Sequence, residues 1–512
     1  MPDWLKEVRD KRDPDLTTFS ARFLIWMGLM LFLMRLGSRR RLDSELDSPQ
    51  ALSNLNALAR DEQEKVADHD TLNYFLIRVP PNTLPRLRRK MIQRLIRMKA
   101  LDHGRLMGHF LVVFDGTGQL HFQERHCPHC LEQKHEGHTL YYHNVLEAKL
   151  VTPEGLAISL DSEFIENADP KADKQDCELK AFARIAGRLK KDFPQLQLCL
   201  LLDGLFANGT AMSLCEKNRW KYIITFKEGS LPALWADYQG LLRECPQNRK
   251  AHRTPEGVRQ TFAWVEQLEH VDDQKRKHRV NAFQCQERDG EGEKTGFFAW
   301  LTNWHLTPDR IVALGNRGGR CRWKIENEGF NVQKNNGFNL EHAYSLDDVA
   351  IKNFYVLMQI AHLIAQLVER GRLFGADART LFVPARRDGP PARRKHPQRR
   401  DRRRRLGPGQ RPVHPDPTRH VLIARPAVAT SGAEPVVFAL HPARPPAGAI
   451  SAALGRPIRL PPHRRRPIAH PVRQGCAGAL PLPSVCDTMP GPGASRCRAS
   501  FPSTARSLAR FG

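Results

Sequence analysis

Two uninterrupted apolar runs, each closed by Asp-Gly, constrain this chain more than any other feature. They open at Phe110 in FLVVFDGTG and at Leu198 within LQLCLLLDGLFANG. A strand with one face in water alternates apolar and polar residues, so a run with no polar member needs cover on both faces. Helices supply that cover in α/β domains. The sequence between and after the runs provides the parts. KLVTPEGLAISL reads as a hairpin turning at Pro153, Glu154 and Gly155, KADKQDCELKAFARIAGRLKKDF as a helix, and KYIITFKEG as another strand. The expectation is an α/β domain with a mixed sheet. Asp115 and Asp203 are expected where buried strands run out into loops.

Around this centre the chain divides by texture. Residues 1–105 read as helical, with an Asp70 or Thr71 cap, a break at Pro80-Pro81, and a second helix carrying Arg86, Arg88, Arg89, Lys90, Arg94, Arg97 and Lys99. That basic face is either solvated or a phosphate-contacting element, and Arg88 and Arg89 are its candidate DNA contacts. Residues 106–244 hold the first part of the α/β core. Residues 245–312 alternate polar and apolar, which predicts antiparallel strands inserted before residues 313–376, a carboxylate-bearing helix and a long closing helix. FLIWMGLMLFLM (Phe23 to Met34) is apolar throughout but has only twelve residues between Arg22 and Arg35. A membrane span takes roughly 20, so a buried helix and no membrane partner are expected.

The net charge of +25 belongs mostly to the end of the chain. Residues 377–512 carry 26 Lys and Arg against 6 Asp and Glu, a net of +20 that leaves about +5 for residues 1–376. The same stretch holds 23 of the 37 prolines, no Trp or Tyr, and a single lysine, Lys395. Such a composition argues against a packed domain. It reads as a disordered tail translated out of frame or otherwise unselected, with an Arg-rich nucleic-acid-binding tail as the alternative. The mildly basic remainder admits nucleic acid only through a local patch.

GNRGGRCRWKIENEGFNVQKNNGFNLEH, residues 315–342, sets Arg322, Glu326 and Lys334 at steps that place Arg322, Glu326 and a residue near 330 on one helix face. A carboxylate there has partners to meet. Asp115 and Asp203 each read alone as turn devices, but strand ends are where α/β sheets gather functional groups. Hard divalent cations take such oxygens from separate elements. Asp176 and Glu178 sit on a helix, where they either pair on its surface, the expected reading, or support the acids from behind, and neither is assigned to this set.

At these residues the chain resembles bacterial insertion-sequence transposases of the DDE type, in the hairpin-forming cut-and-paste branch. The segments are VVFDGTG, LLLDG and RWKIENEGFNVQK. That branch carries its third acid in the motif Tyr-x₂-Arg-x₃-Glu-x₆-Lys. Arg322 and Glu326 fit it, Gly319 holds the Tyr position, and Gln333 holds the Lys position one residue before Lys334. Glu328 is the rival third acid. The resemblance spans about residues 70–373. It implies an RNase-H-like core in which Asp115, Asp203 and Glu326 hold Mg²⁺ or Mn²⁺, with Arg322 and Lys334 reaching phosphates. The implied chemistry is hydrolysis at transposon ends followed by transesterification. The implied partners are double-stranded DNA at terminal inverted repeats, target DNA, and further copies of the chain once DNA is bound.

HFQERHCPHCLEQKHEGHTLYYH adds a second constellation. Cys127-x₂-Cys130 can present two thiolates to one Zn²⁺, with His138 and His143 completing a structural site. Alternatively His143, inside YYHNVLEAKLV, faces the acids. The scattered remaining cysteines and the polar N-terminus suit reduced thiols in the cytoplasm, and the resemblance implies association with the bacterial nucleoid. A catalytically dead DNA-binding relic and an RNase-H-like nuclease are the competing readings.

Overall fold

The computed structural model describes residues 2–8, 10–167 and 175–370. Strands β1 (Phe110–Phe122), β2 (Leu131–His135), β3 (His138–Val151), β4 (Ala157–Ile165), β5 (Leu198–Leu202), β6 (Lys221–Thr225), β7 (Arg249–Arg253), β8 (Arg259–Val271), β9 (Lys277–Arg288) and β10 (Lys294–Thr302) join in one mixed sheet. Their order is β2-β3-β1-β5-β6-β10-β9-β8-β7, and β4 also pairs with β3. β1, β5 and β6 are parallel, while every other pairing is antiparallel.

The apolar runs are continuous because alternate residues of one strand enter two different cores. Leu111, Val113, Cys199 and Leu201 pack on one side of the sheet. Phe110, Val112, Phe114, Leu198, Leu200 and Leu202 pack on the other. The first side is covered by α1 (Ala21–Leu33), α3 (His69–Arg78) and the closing helix α8 (Asp348–Arg370), with α2 (Pro49–Ala59) behind α1. The second is covered by α5 (Glu178–Asp192), α6 (Gly209–Asn218) and α7 (Pro232–Glu244). α4 (Thr83–Arg97) contributes Ile92 to this second core and Leu84 and Leu87 to the first.

α1 is buried nearly all round, with Phe23, Leu24, Ile25 and Met27 fully enclosed. It crosses α8 closely, since a Cβ on Gly28 would lie 2.9 Å from Leu357. α8 is long and apolar enough to cross a membrane by length and composition, but most of it is buried against the rest of the protein.

Several local expectations need correction. The cap of α3 is Asp68, which accepts from the Thr71 amide at 2.6 Å, not Asp70 or Thr71. β1 does not end at Asp115, because its ladder with β3 continues through Thr117 to Phe122. Residues 245–312 form no separate layer. They continue the sheet outward through the β6–β10 pairing. The segment Ile311–Asn335 is not one regular helix. It passes through π turns at Leu314–Gly318 and Ile325–Phe330, separated by a 3₁₀ turn at Gly319–Trp323. Close packing accompanies the breaks, since Cβ atoms on Gly315, Gly318 and Gly319 would lie 2.6, 2.6 and 2.4 Å from Phe262, Ile223 and Trp300. Residues 371–512 lie outside the described residues, and with them the tail.

Candidate active site

The parallel register of β1 and β5 places the two acids together. Its last shared pair is Val113 with Leu201, so Asp115 and Asp203 follow two residues on at one level of adjacent strands. They lie on the face that also receives Cys321, Ile325 and Phe330 from the irregular helical segment. Arg322, from that segment, donates to Asp115 Oδ2 at 3.3 Å. Asp115 Oδ1 accepts the Gly116 amide. Asp203 also serves the turn role expected of a strand-end Asp, accepting from the Leu205 amide at 3.0 Å.

Charge gathers here. Burial pushes the Asp115 carboxyl above the ordinary carboxylate range, Arg322 pulls it back, and Asp203 and Glu326 push it further up. The rival acid Glu328 accepts from Lys324 at 3.0 Å, one helical step away. The regular face expected through residue 330 does not exist, since Phe330 is buried in the core. Lys334 does not converge with Arg322, and its ammonium is held by Glu341 at 3.0 Å.

A fourth carboxylate enters from the opposite face. Glu178, in the first turn of α5, reaches over Gly116, and a Cβ on that glycine would lie 2.1 Å from Glu178 Oε1. Burial first, then the charges of Asp115 and Asp203, raise the Glu178 carboxyl to about 6. For Glu178 the alternative of a group supporting the acids describes its position better than surface pairing does, although Asp176 does pair with Arg184. The signal that pointed to it was Gly116, because a glycine within a strand marks a place where another group comes close.

The arrangement offers four half-buried carboxylates and one guanidinium. Such a set favours a cation and includes one group that exchanges protons in the neutral range. Trp323 stands beside it, 55 % exposed, with the Arg322 guanidinium 4.6 Å from its ring centre.

Two expected DNA contacts on α4 fare differently. Arg88 is buried, donating to Ser159, Ser162 and Asp161, so it cannot reach a phosphate. Arg89 is half-buried against Asp192 at 2.6 Å. Arg86, Arg94 and Arg97 are exposed on the same helix.

Among the described residues, the group with three ligand atoms within 4.8 Å of one another is Cys127, Cys130 and His143, and the four carboxylates are not drawn that close. His138 does not belong to this group. It sits five residues from His143 along β3, about 17 Å away on the opposite face, stacked on His135 at the hairpin tip. Scanned against protein-family models the chain matches none, and a search of curated proteins finds no match.

Proposed function

We propose that this chain is a DDE-type DNA transposase, cleaving and joining insertion-sequence ends with an RNase-H-like catalytic core. The observation that carries this reading is the placement of Asp115 and Asp203 at one level of neighbouring parallel strands. The sheet path β4-β3-β1-β5-β6, antiparallel through its first three strands and parallel through the rest, supports the RNase-H-like assignment.

The donor chemistry suits Mg²⁺ or Mn²⁺, since every group offers hard carboxylate oxygens, and burial together with the neighbouring acids raises Asp115 and Glu178. Asp115, Asp203 and Glu326 would hold the ion, which when bound supplies Lewis acidity for phosphodiester hydrolysis and strand transfer. Arg322 orients Asp115 and offsets part of the charge before DNA arrives. Glu178 accepts or releases a proton near neutral pH at the edge of the set. Trp323, exposed and backed by Arg322, is placed to stack on a base of a distorted duplex end. The partners on this reading are transposon-end and target DNA, with further copies of the chain assembling on it.

A second reading, a DNA-binding relic without activity, draws support from Gly319. The Tyr of the hairpin-forming motif has no room there, because the Trp300 ring fills the position a Cβ would need.

One experiment separates the two. The full chain is incubated with Mg²⁺ and labelled duplexes taken from the DNA flanking its own coding sequence, beside Asp115→Asn. Site-specific nicking that the substitution abolishes is expected. Equal binding by both proteins with no nicking by either refutes the transposase and leaves the relic.

A further inference from the structure

The second constellation is independent of the acids. Cys127 and Cys130 lie in the loop between β1 and β2, and His143 lies on β3, opposite Leu120. The sulfurs are 3.6 Å apart, and His143 Nε2 lies 3.4 Å from Cys127 Sγ and 3.3 Å from Cys130 Sγ. All three side chains are buried, Cys130 completely. Two thiols directed at one imidazole nitrogen make a poor hydrogen-bonded group, since that nitrogen has a single lone pair to offer. A tetrahedral Zn²⁺ with bonds of about 2.3 Å to sulfur and about 2.05 Å to nitrogen puts its ligand atoms roughly 3.5 to 3.8 Å apart. The observed triangle is within a few tenths of an ångström of that.

The surroundings hold the three ligands in place. The Cys130 amide turns back to the Cys127 carbonyl at 3.4 Å, closing the knuckle. Asn167, just past β4, donates to the Cys130 carbonyl at 3.1 Å, and its own carbonyl meets His129 Nδ1 at 2.9 Å. His126 is fixed by the Leu346 carbonyl at 3.0 Å. These bonds engage one ring nitrogen each of His126 and His129.

We propose that Cys127, Cys130 and His143 form a structural Zn²⁺ site that fastens the β1–β2 loop to β3. The site braces the part of β1 that runs past Asp115 after its pairing with β5 has ended at Val113. It performs no step at the acids.

The test uses the full chain folded with Zn²⁺, then with Co²⁺ in its place. About one Zn²⁺ per chain is expected by elemental analysis, and the cobalt form should show tetrahedral d–d bands with thiolate-to-metal charge transfer. Cys130→Ser and His143→Ala should each lose the metal, and His138→Ala should keep it. Less than about a tenth of an equivalent in the wild type, when structural sites of this class bind tightly enough to stay filled, overturns the proposal. So does a cobalt spectrum without thiolate charge transfer, which decides the matter even where a cysteine variant does not fold. Loss of metal in His138→Ala with retention in His143→Ala overturns the ligand set. A Cys127–Cys130 disulfide in the freshly isolated protein overturns the site as well. Nuclease activity is not measured, so failure of the acid-site reading leaves this result standing.

Discussion

Glu178→Gln should make the protein more stable at pH 8. Burial and the neighbouring charges of Asp115 and Asp203 lift the Glu178 carboxyl from its ordinary 4.5 to about 6. A group raised in this way favours folding while protonated, and that contribution is lost as the pH rises through about 6. Holding the carboxylate ionised in the fold costs about 2 kcal/mol at 1.36 kcal/mol per pH unit, and solvent at this half-buried site screens it to about 1 kcal/mol. A glutamine of the same shape removes that cost. Urea unfolding followed by Trp fluorescence should place the variant about 1 kcal/mol above wild type at pH 8. The gain should shrink through pH 6 and vanish by about pH 4.5. Part of it should fall with added salt, which screens Asp115 and Asp203 but leaves burial untouched. A variant no more stable than wild type at pH 8, or a gain that persists at pH 4.5, would refute the reasoning.

Other perturbations discriminate between neighbouring residues. Arg88→Ala, which strips a buried guanidinium from Asp161, Ser159 and Ser162, should cost about 3 kcal/mol, whereas Arg89→Ala should cost under about 1 kcal/mol by the same denaturation. Gly319→Ala drives a methyl into the rigid Trp300 ring and should lower stability by about 1–3 kcal/mol, read as a fall in Tm. Gly116→Ala meets only the flexible end of Glu178, so Tm should hardly move while the pH dependence tied to Glu178 shrinks. In the nicking assay Glu326→Gln should abolish product and Glu328→Gln should not, because Glu328 is already paired with Lys324.

Much of the fold was legible because burial leaves a periodic record. Runs without alternation marked β1 and β5, the turn at Pro153 to Gly155 marked the β3–β4 hairpin, and the apolar stretch at Phe23 marked a helix enclosed on all sides. Asp115 and Asp203 could be named because each closes such a run. Their adjacency could not, since register between strands some ninety residues apart depends on which strands pair. The same limit hid Glu178, which reads as a helix-surface acid until the packing of α5 brings it over Gly116. It also misplaced Arg88, whose exposed and buried alternatives look alike in a basic amphipathic helix. His138 and His143 were equal candidates by spacing, and the pairing of β2 with β3 separated them by sending one to the hairpin tip and the other to the sulfurs. Local chemistry is written along the chain. Which charges share a site is set by long-range pairing and packing, and these leave no mark at the individual residue.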